Sequence, residues 1–202
     1  MSDVFYTPPA ADLQPPSNGH PEFFTVAPRK LIVMMLLTHG LYVAYWFYQN
    51  WKNYRNRSGR EIWPLARTLF ALFYTPSLFC KIDRASKVKS ATGMPYWGIS
   101  SVLYVLLPFI PFLIGFAYGM YRALSGSDTA PIEFWLDFFM GTAVIVFQSL
   151  IVLRVQRFIN LVNEDPNGMA NARYTVGNFI WILIGLLVWF SISVGTHLAF
   201  QA

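Results

Sequence analysis

The sequence has little of two things on which soluble proteins rely, cysteine cross-links and charged side chains. Cys80 is the only cysteine in 202 residues, which excludes a secreted domain held together by disulfides. Charged residues make up 12% of the chain, against roughly 25% in a typical soluble domain, while 55% of the residues are hydrophobic. Several stretches of about 20 residues carry no charge, and that length crosses a hydrocarbon layer about 30 Å thick. The composition therefore predicts an integral membrane protein.

Patterns that support catalysis or metal binding are also missing. No two of the three histidines stand four residues apart, and no Gly-x-Ser-x-Gly motif occurs. The acidic pair Glu164-Asp165 lies in the stretch 163–168, whose residue types predict a turn rather than a calcium loop. We therefore predict no metal, no cofactor and no enzymatic activity, with Cys80 as the only candidate for lipid-modifying chemistry.

Residues 1–28 differ from the rest of the chain. They hold six of the thirteen prolines and show no apolar periodicity, so they cannot bury enough surface to offset the entropy of ordering. We predict a disordered, proline-rich tail at 1–28, followed by a single helical membrane domain at 29–202.

Four stretches with little or no charge are long enough to predict spanning helices. They cover about residues 31–51, 97–121, 134–153 and 175–199, and the third contains one charged residue, Asp137, near its start. The first ends in a belt of tyrosines and tryptophans, side chains that settle at the level of the lipid headgroups. The second contains Pro108 and Pro111, which remove two backbone donors and predict a bend near mid-membrane. The expected fold class is an all-α integral membrane protein with four transmembrane helices.

A fifth apolar segment, at about 62–80, has a different character. It includes Arg67 and has Pro64 and Pro76 near its ends. On a helix its polar side chains, Arg67 among them, fall on one arc, while its leucines and phenylalanines fill the remainder. Such a segment is typical of an amphipathic helix that lies in the interface, or that enters the membrane and returns.

Lysine and arginine are concentrated in one loop, between the first two predicted spans. That loop carries nine of them: Lys52, Arg55, Arg57, Arg60, Arg67, Lys81, Arg84, Lys87 and Lys89. Arg122 alone lies between the second and third spans, so the positive-inside rule places the long loop in the cytoplasm. We interpret the nine cations as a topology signal and as a surface for anionic lipid headgroups or a protein partner. The net charge of +5 leaves no separate basic face for nucleic acid.

Two membrane arrangements remain open. With four spans, the segment 62–80 lies in the interface and both termini are outside. If 62–80 also spans, the N-terminus is inside, and the cations from Lys52 to Arg60 are exported. Both arrangements place Lys81–Lys89 in the cytoplasm and the C-terminus outside.

A few polar and small residues lie within the predicted spans. Gln148, Asn178 and His39 are costly in hydrocarbon, so we expect them to face the bundle interior. Their simplest role there is hydrogen bonding between helices. Gly115 and Gly119 form a Gly-x-x-x-Gly pattern, which permits close helix packing within the chain or between copies.

Several short motifs resemble those of an uncharacterised family of bacterial inner-membrane proteins. They are Tyr45-Trp46-Phe47-Tyr48-x-Asn50-Trp51-Lys52, Pro64-x-x-Arg67, Gln156-Arg157-x-x-Asn160, Asn171-x-Arg173-Tyr174 and Asn178-x-x-Trp181. The resemblance implies a bacterial cytoplasmic membrane and an all-helical fold. It provides no activity, ligand or catalytic residue, but it draws attention to Arg67, which could pair with a headgroup phosphate or with carbonyls at a helix end.

These observations lead to one functional hypothesis and one alternative. The hypothesis is a non-enzymatic accessory or scaffold subunit of the bacterial inner membrane, whose basic cytoplasmic face meets lipid headgroups, a membrane-protein partner or a second copy. The alternative is a small oligomeric transporter or channel lined by Gln148, Asn178 and the bent second helix. The alternative predicts that Gln148→Leu abolishes solute movement.

Overall fold

The computed structural model describes residues 21–90, 92–126 and 130–201, with backbone only for 130–137 and 196–201. The predicted tail up to residue 20 lies outside this range. Within it, helices are the only regular secondary structure, as the sequence predicts. The elements are α1 Pro28–Leu37, α2 Tyr42–Ser58, α3 Pro64–Leu69, α4 Ala71–Ser90, α5 Trp97–Leu106, α6 Phe109–Ser125, α7 Ala130–Val162, a 3-10 turn Met169–Asn171 and α8 Val176–Gln201.

Three helical segments are long and apolar enough to cross a membrane. They are Trp97–Ser125, Phe138–Val162 and Val176–Gly195, which correspond to the last three predicted spans. The first consists of α5 and α6, which are separated by a turn at Leu107-Pro108. The helix is therefore interrupted at the first of the two prolines, where the sequence predicts a bend.

The predicted first span, 31–51, is wrong as a single helix. α1 ends at Leu37, and the chain turns before α2 begins at Tyr42. Thr38 joins the two helices, because its hydroxyl donates to the Met34 carbonyl at 2.7 Å and accepts the Tyr42 N–H at 2.9 Å. His39 and Gly40 follow with φ of 50° and 81°, a left-handed conformation that ends a helix. The length of an uncharged run does not show whether the chain continues as one helix or turns back.

α1 and α2 form a hairpin whose two ends lie together. Glu22, just before α1, and Arg57, at the end of α2, line the same cleft. The chain from Glu22 to Arg57 therefore starts and finishes at one end of the bundle, and the structure does not support the arrangement in which 31–51 crosses the membrane. Physically, the break at Thr38 allows α2 to run back beside α1.

The tip of this hairpin lies deep in the bundle. A Cβ at Gly40 would lie 3.6 Å from Ile145 of α7. Ile145 is nine residues from Arg154, whose guanidinium donates to the Pro95 carbonyl at 2.6 Å, just before α5 begins. Nine helical residues rise roughly 13 Å, which is about half the thickness of a hydrocarbon layer. The hairpin is thus re-entrant in shape.

The segment 62–80 does not span either. Lys89, at the end of α4, lines the same cleft as Arg57, so the chain between them also begins and ends at one end of the bundle. The alternative arrangement, in which 62–80 crosses, is therefore wrong. The predicted single helix is two helices, α3 and α4, which meet at Phe70, and α4 continues to Ser90.

Arg57 and Lys89 line the cleft at this end of the bundle, and Lys30 and Arg154 donate to backbone carbonyls of the adjoining loops. We call this end of the bundle the basic end: it is where residues 21–27, the C-terminal ends of α2, α4 and α7, and the N-terminal ends of α1, α5 and α8 meet. The largest buried side chains, including Trp46, Trp51, Phe23 and Phe79, form the core around it. In contrast, only 11–17% of the residues in the three candidate spans are buried. Those spans therefore present apolar surface outward, as a lipid environment requires.

Candidate functional site at the basic end

Residues 21–27 run extended across the basic end, and we call them the strap. The sequence places them in the disordered tail, but Phe23 and Val26 are fully buried in the core. The tail prediction is therefore wrong for this stretch. The many prolines of residues 1–28 predict disorder. Burial of Phe23 and Val26, which lie among them, offsets the entropy of ordering this stretch.

Carboxamide side chains at the end of α7 and directly after it bind the strap backbone. Asn163 Oδ1 accepts the Glu22 N–H at 3.1 Å, and its Nδ2 donates to the Phe23 carbonyl at 2.7 Å. Gln156 donates to the Phe24 carbonyl at 2.9 Å, and Asn160 donates to the Val26 carbonyl at 3.1 Å. Gln156 and Asn160, four residues apart, share one face of α7, and Asn163 directly follows the last residue of that helix.

Two further amides complete this amide clamp, which comprises Asn50, Gln156, Asn160, Asn163 and Asn171. Asn50 of α2 accepts the Phe24 N–H at 3.1 Å, and Asn171 donates to the Thr25 carbonyl at 3.1 Å. Gln156 also accepts the Trp46 indole N–H at 2.6 Å. An extended segment has no partners of its own for its backbone polar groups, and the clamp provides them. The spacing Gln-x-x-x-Asn-x-x-Asn, which follows an uncharged span, is the signal from which it could have been predicted.

The turn after α7 packs against the strap. The carboxylate of Asp165 accepts the backbone N–H groups of Met169 and Ala170 at 2.9 and 2.8 Å, and these bonds hold the pKa of Asp165 below its ordinary value. The predicted turn at 163–168 is confirmed. Gly168 has a φ of 65°, and a Cβ there would overlap the backbone of Val26 in the strap.

Lys30 ties α1 to the same region. It is buried, and its ammonium donates to Asn171 Oδ1 at 2.6 Å and to the Arg173 carbonyl at 2.7 Å. Burial lowers the pKa of Lys30. Two neutral acceptors stabilise the charge here without a carboxylate.

A cleft of about 560 Å³ opens beside the strap. Its charged side chains are Glu22, Arg57, Lys89, Glu164 and Asp165. Burial raises the pKa of Glu22, while the positive charges of Arg57 and Lys89 oppose that rise. Lys89 forms an ion pair with Glu164, and the pKa of Glu164 falls in consequence. Because the charges of the lining are mixed, the cleft favours neither anions nor cations.

The nine cations predicted as a binding surface divide into two groups. Four are fully or partly engaged in packing. The guanidinium of Arg67 lies 4.4 Å from the ring centroid of Trp51 and 5.0 Å from that of Tyr74, and Lys81 donates to the Tyr54 hydroxyl at 3.1 Å. Lys52 and Arg57 are half-buried, whereas the exposed group comprises Arg55, Arg60, Arg84, Lys87 and Lys89.

The amphipathic segment turns its polar arc toward the protein. Arg67 stacks on α2, and Thr75 is fully buried. The apolar arc faces outward, and we call its exposed part the elbow: Trp63, Leu65, Leu69, Phe70, Leu72 and Phe73. Leu69 and Phe73 are 74% and 73% exposed, which water alone would not favour. The arcs were predicted correctly, but the polar arc meets aromatic rings rather than solvent.

Two of the three intramembrane polar residues form hydrogen bonds, Gln148 between two helices and Asn178 at the start of its own helix. Gln148 donates its amide to the Tyr104 carbonyl of α5 at 3.0 Å. In a continuous helix that carbonyl would accept the N–H of residue 108, but Pro108 has none. Asn178 Oδ1 accepts the Thr175 N–H at 2.9 Å and so caps the start of α8. His39 lies at the hairpin tip, edge-on to Trp189 with ring centroids 4.7 Å apart.

We predict that Gln148→Leu destabilises the protein by about 1 kcal/mol, because it leaves the Tyr104 carbonyl without a donor in hydrocarbon. In a Pro108→Ala background the helix regains its N–H, so the same substitution should have a smaller effect. The test measures, in detergent, how much Gln148→Leu lowers the free energy of unfolding when residue 108 is proline and when it is alanine. Equal losses in the two backgrounds would contradict this role of Gln148.

The two glycines of the Gly-x-x-x-Gly pattern lie on α6, which has no buried residue. A Cβ at Gly119 would meet nothing within 4 Å. Within the described part of the chain, Gly119 therefore packs against no other helix. Packing between copies through Gly115 and Gly119 stays a prediction.

The candidate for lipid-modifying chemistry, Cys80, is half-buried on α4. Among residues whose side chains are described, no group of three histidine, cysteine or acidic residues could hold a metal ion. No family model, curated protein or solved structure matches the chain. Any functional assignment must therefore be argued from the basic end itself.

Proposed function

We propose that the protein is a non-enzymatic accessory or scaffold subunit of the bacterial inner membrane whose basic end binds anionic lipid headgroups. The observation that carries the proposal is the elbow, an exposed apolar surface beside exposed cations. Leu69 and Phe73 face outward there, and Arg55 and Arg60 lie on the chain that leads into it. An apolar surface flanked by arginine fits the boundary between acyl chains and headgroups.

The proposed orientation follows from the charge distribution. Because the cations gather at one end, the positive-inside rule places that end in the cytoplasm. Three crossings by Trp97–Ser125, Phe138–Val162 and Val176–Gly195 then put the strap inside and the C-terminus outside. The re-entrant hairpin fills the cytoplasmic half of the bundle.

Anionic headgroups are the favoured partners on energetic grounds. A basic residue near a negatively charged leaflet contributes about 1 kcal/mol. Arg60, Arg84 and Arg157 are exposed, and no salt bridge in the described part of the chain involves them. Their charges are therefore available to lipid phosphates. The same surface would suit an acidic segment of a membrane-protein partner.

The test replaces these three arginines together with glutamine, with lysine at all three positions as the charge-preserving control. Each variant is purified in detergent with phosphatidylglycerol and phosphatidylcholine present in equal amounts, and the bound lipids are counted by native mass spectrometry. We expect the glutamine variant to retain several-fold less phosphatidylglycerol than the lysine variant. Equal retention would refute lipid binding by the basic end.

A second candidate, a transporter or channel, draws support from the hairpin. Broken helices that meet near mid-membrane form the binding sites of many transporters. Gln148 and Asn178 already bond to Tyr104 and Thr175, whereas in the described part of the chain the Nδ1 of His39 is buried without a hydrogen-bond partner, as is the Thr142 hydroxyl. This candidate predicts solute flux in proteoliposomes that His39→Phe abolishes and Gln148→Leu does not. Absence of flux in the wild-type protein, tested with small cations and neutral solutes, would exclude it for those solutes.

A further inference from the structure

A hollow of about 450 Å³ lies where the chain leaves α2 and enters α3. Its lining residues are Arg55, Glu61, Ile62 and Trp63. α2 ends at Ser58, Gly59 follows with a left-handed φ of 64°, and Ile62 is buried in the segment that leads to α3. The hollow therefore lies in the connection between the two helices.

The hollow carries one positive and one negative side chain that are not joined to each other. Arg55 and Glu61 are both exposed and line the same space. The salt bridges in the described part of the chain are Lys87–Asp83 and Lys89–Glu164, and neither involves them. A guanidinium and a carboxylate that line one hollow without an ion pair between them complement a molecule that carries both an anion and a cation.

The surroundings of the hollow indicate an amphiphile. Trp63 forms one wall and is 71% exposed, and Leu65 and Leu69 of the elbow continue the apolar surface along α3. A ligand that fits both features has a dipolar head and a long apolar body. Tryptophan at the edge of such a surface is also typical of the membrane interface.

We propose that this hollow is a headgroup site for a phospholipid that carries a phosphate and a primary ammonium, the chemistry of phosphatidylethanolamine. Arg55 binds the phosphate, for which its planar fork of N–H donors is suited. Glu61 accepts hydrogen bonds from the ammonium, and the face of Trp63 adds a cation–π contact. The acyl chains lie against Leu65 and Leu69. The assignment rests on the proposed function, because it requires the elbow to lie at the membrane surface.

The experiment compares phosphatidylethanolamine with phosphatidylglycerol, which has the phosphate but no ammonium. Both are offered in equal amounts to the detergent-solubilised full chain, and the bound lipids are counted by native mass spectrometry. Glu61→Gln should lower the ratio of retained phosphatidylethanolamine to phosphatidylglycerol about fivefold, and Glu61→Asp should restore most of it. Arg55→Gln should lower retention of both lipids. Arg122→Gln, which removes a cation at the end of α6 that does not line the hollow, should leave the ratio unchanged.

A ratio that Glu61→Gln does not change, in protein that still elutes as a folded species, would overturn the headgroup site. That result is distinguishable from failure of the proposed function. If the triple arginine variant still loses phosphatidylglycerol while Glu61→Gln leaves the ratio unchanged, only the headgroup site fails. If the triple variant retains phosphatidylglycerol as well as its lysine control, the proposed function fails.

Discussion

Gly168→Ala is expected to destabilise the basic end by about 3 kcal/mol or more. A left-handed φ costs an L-residue roughly 1–2 kcal/mol, and Gly168 has a φ of 65°. The new Cβ would also overlap the carbonyl of Val26, whose backbone is held by Asn160. The strap would have to leave the clamp or the turn would have to open, and such overpacking costs about 1–3 kcal/mol more. The loss should be visible as a lower midpoint of thermal unfolding in detergent.

Gly59→Ala is the matched control, because Gly59 has a φ of 64° and a Cβ there would meet nothing within 4 Å. It therefore isolates the conformational penalty from the overlap. We expect Gly59→Ala to cost about 1 kcal/mol. If the two alanine variants lose the same free energy of unfolding, the strap does not lie against the turn as described.

Gly185→Ala is expected to displace the tip of the hairpin. A Cβ at Gly185 of α8 would overlap the Leu37 carbonyl and the Cα of Thr38, where α1 ends. Alanine normally favours a helix over glycine by about 1 kcal/mol. Here the overlap should reverse that gain and give a net loss of about 2 kcal/mol, because α8 can no longer pack closely against the break.

Gly195→Ala provides the comparison within the same helix. A Cβ at Gly195 would meet nothing within 4 Å, so the substitution should be neutral or slightly stabilising. Chemical unfolding in mixed micelles, monitored by tryptophan fluorescence, measures both variants. If Gly195→Ala lost as much stability as Gly185→Ala, overlap with the hairpin tip would not explain the loss in Gly185→Ala.

Much of the fold follows from the lengths of the uncharged runs. The last three predicted spans correspond to three long apolar helices, and the prolines at 108 and 111 predict the turn between α5 and α6. The run 31–51 is also uncharged and of similar length, but it turns back. That outcome depends on the Thr38 hydroxyl and on the absence of a side chain at Gly185, 147 residues away. Contacts at such a separation are not visible in local hydrophobicity.

The candidate site was less predictable for a related reason. Asparagine and glutamine are usually assigned to turns or to packing between helices, and the strap resembles a disordered tail by composition. The clamp becomes evident only when Asn50, Asn160 and Asn171 meet the same extended backbone. In contrast, the helical spacing of apolar residues predicts the elbow. It does not predict that Arg67 stacks on aromatic rings.

The central claim is that the strap and the long basic loop lie on the same side of the membrane, because α1 and α2 form a re-entrant hairpin. The most direct measurement uses single cysteines at Pro21, Lys87 and Ser127 in a Cys80→Ser background, labelled in intact cells with a membrane-impermeant thiol reagent. Pro21 and Lys87 are exposed at the basic end. The account predicts that both remain unlabelled until the membrane is opened, while position 127, between the first two crossings, labels at once. Labelling of position 21 in intact cells, with position 87 protected, would contradict it.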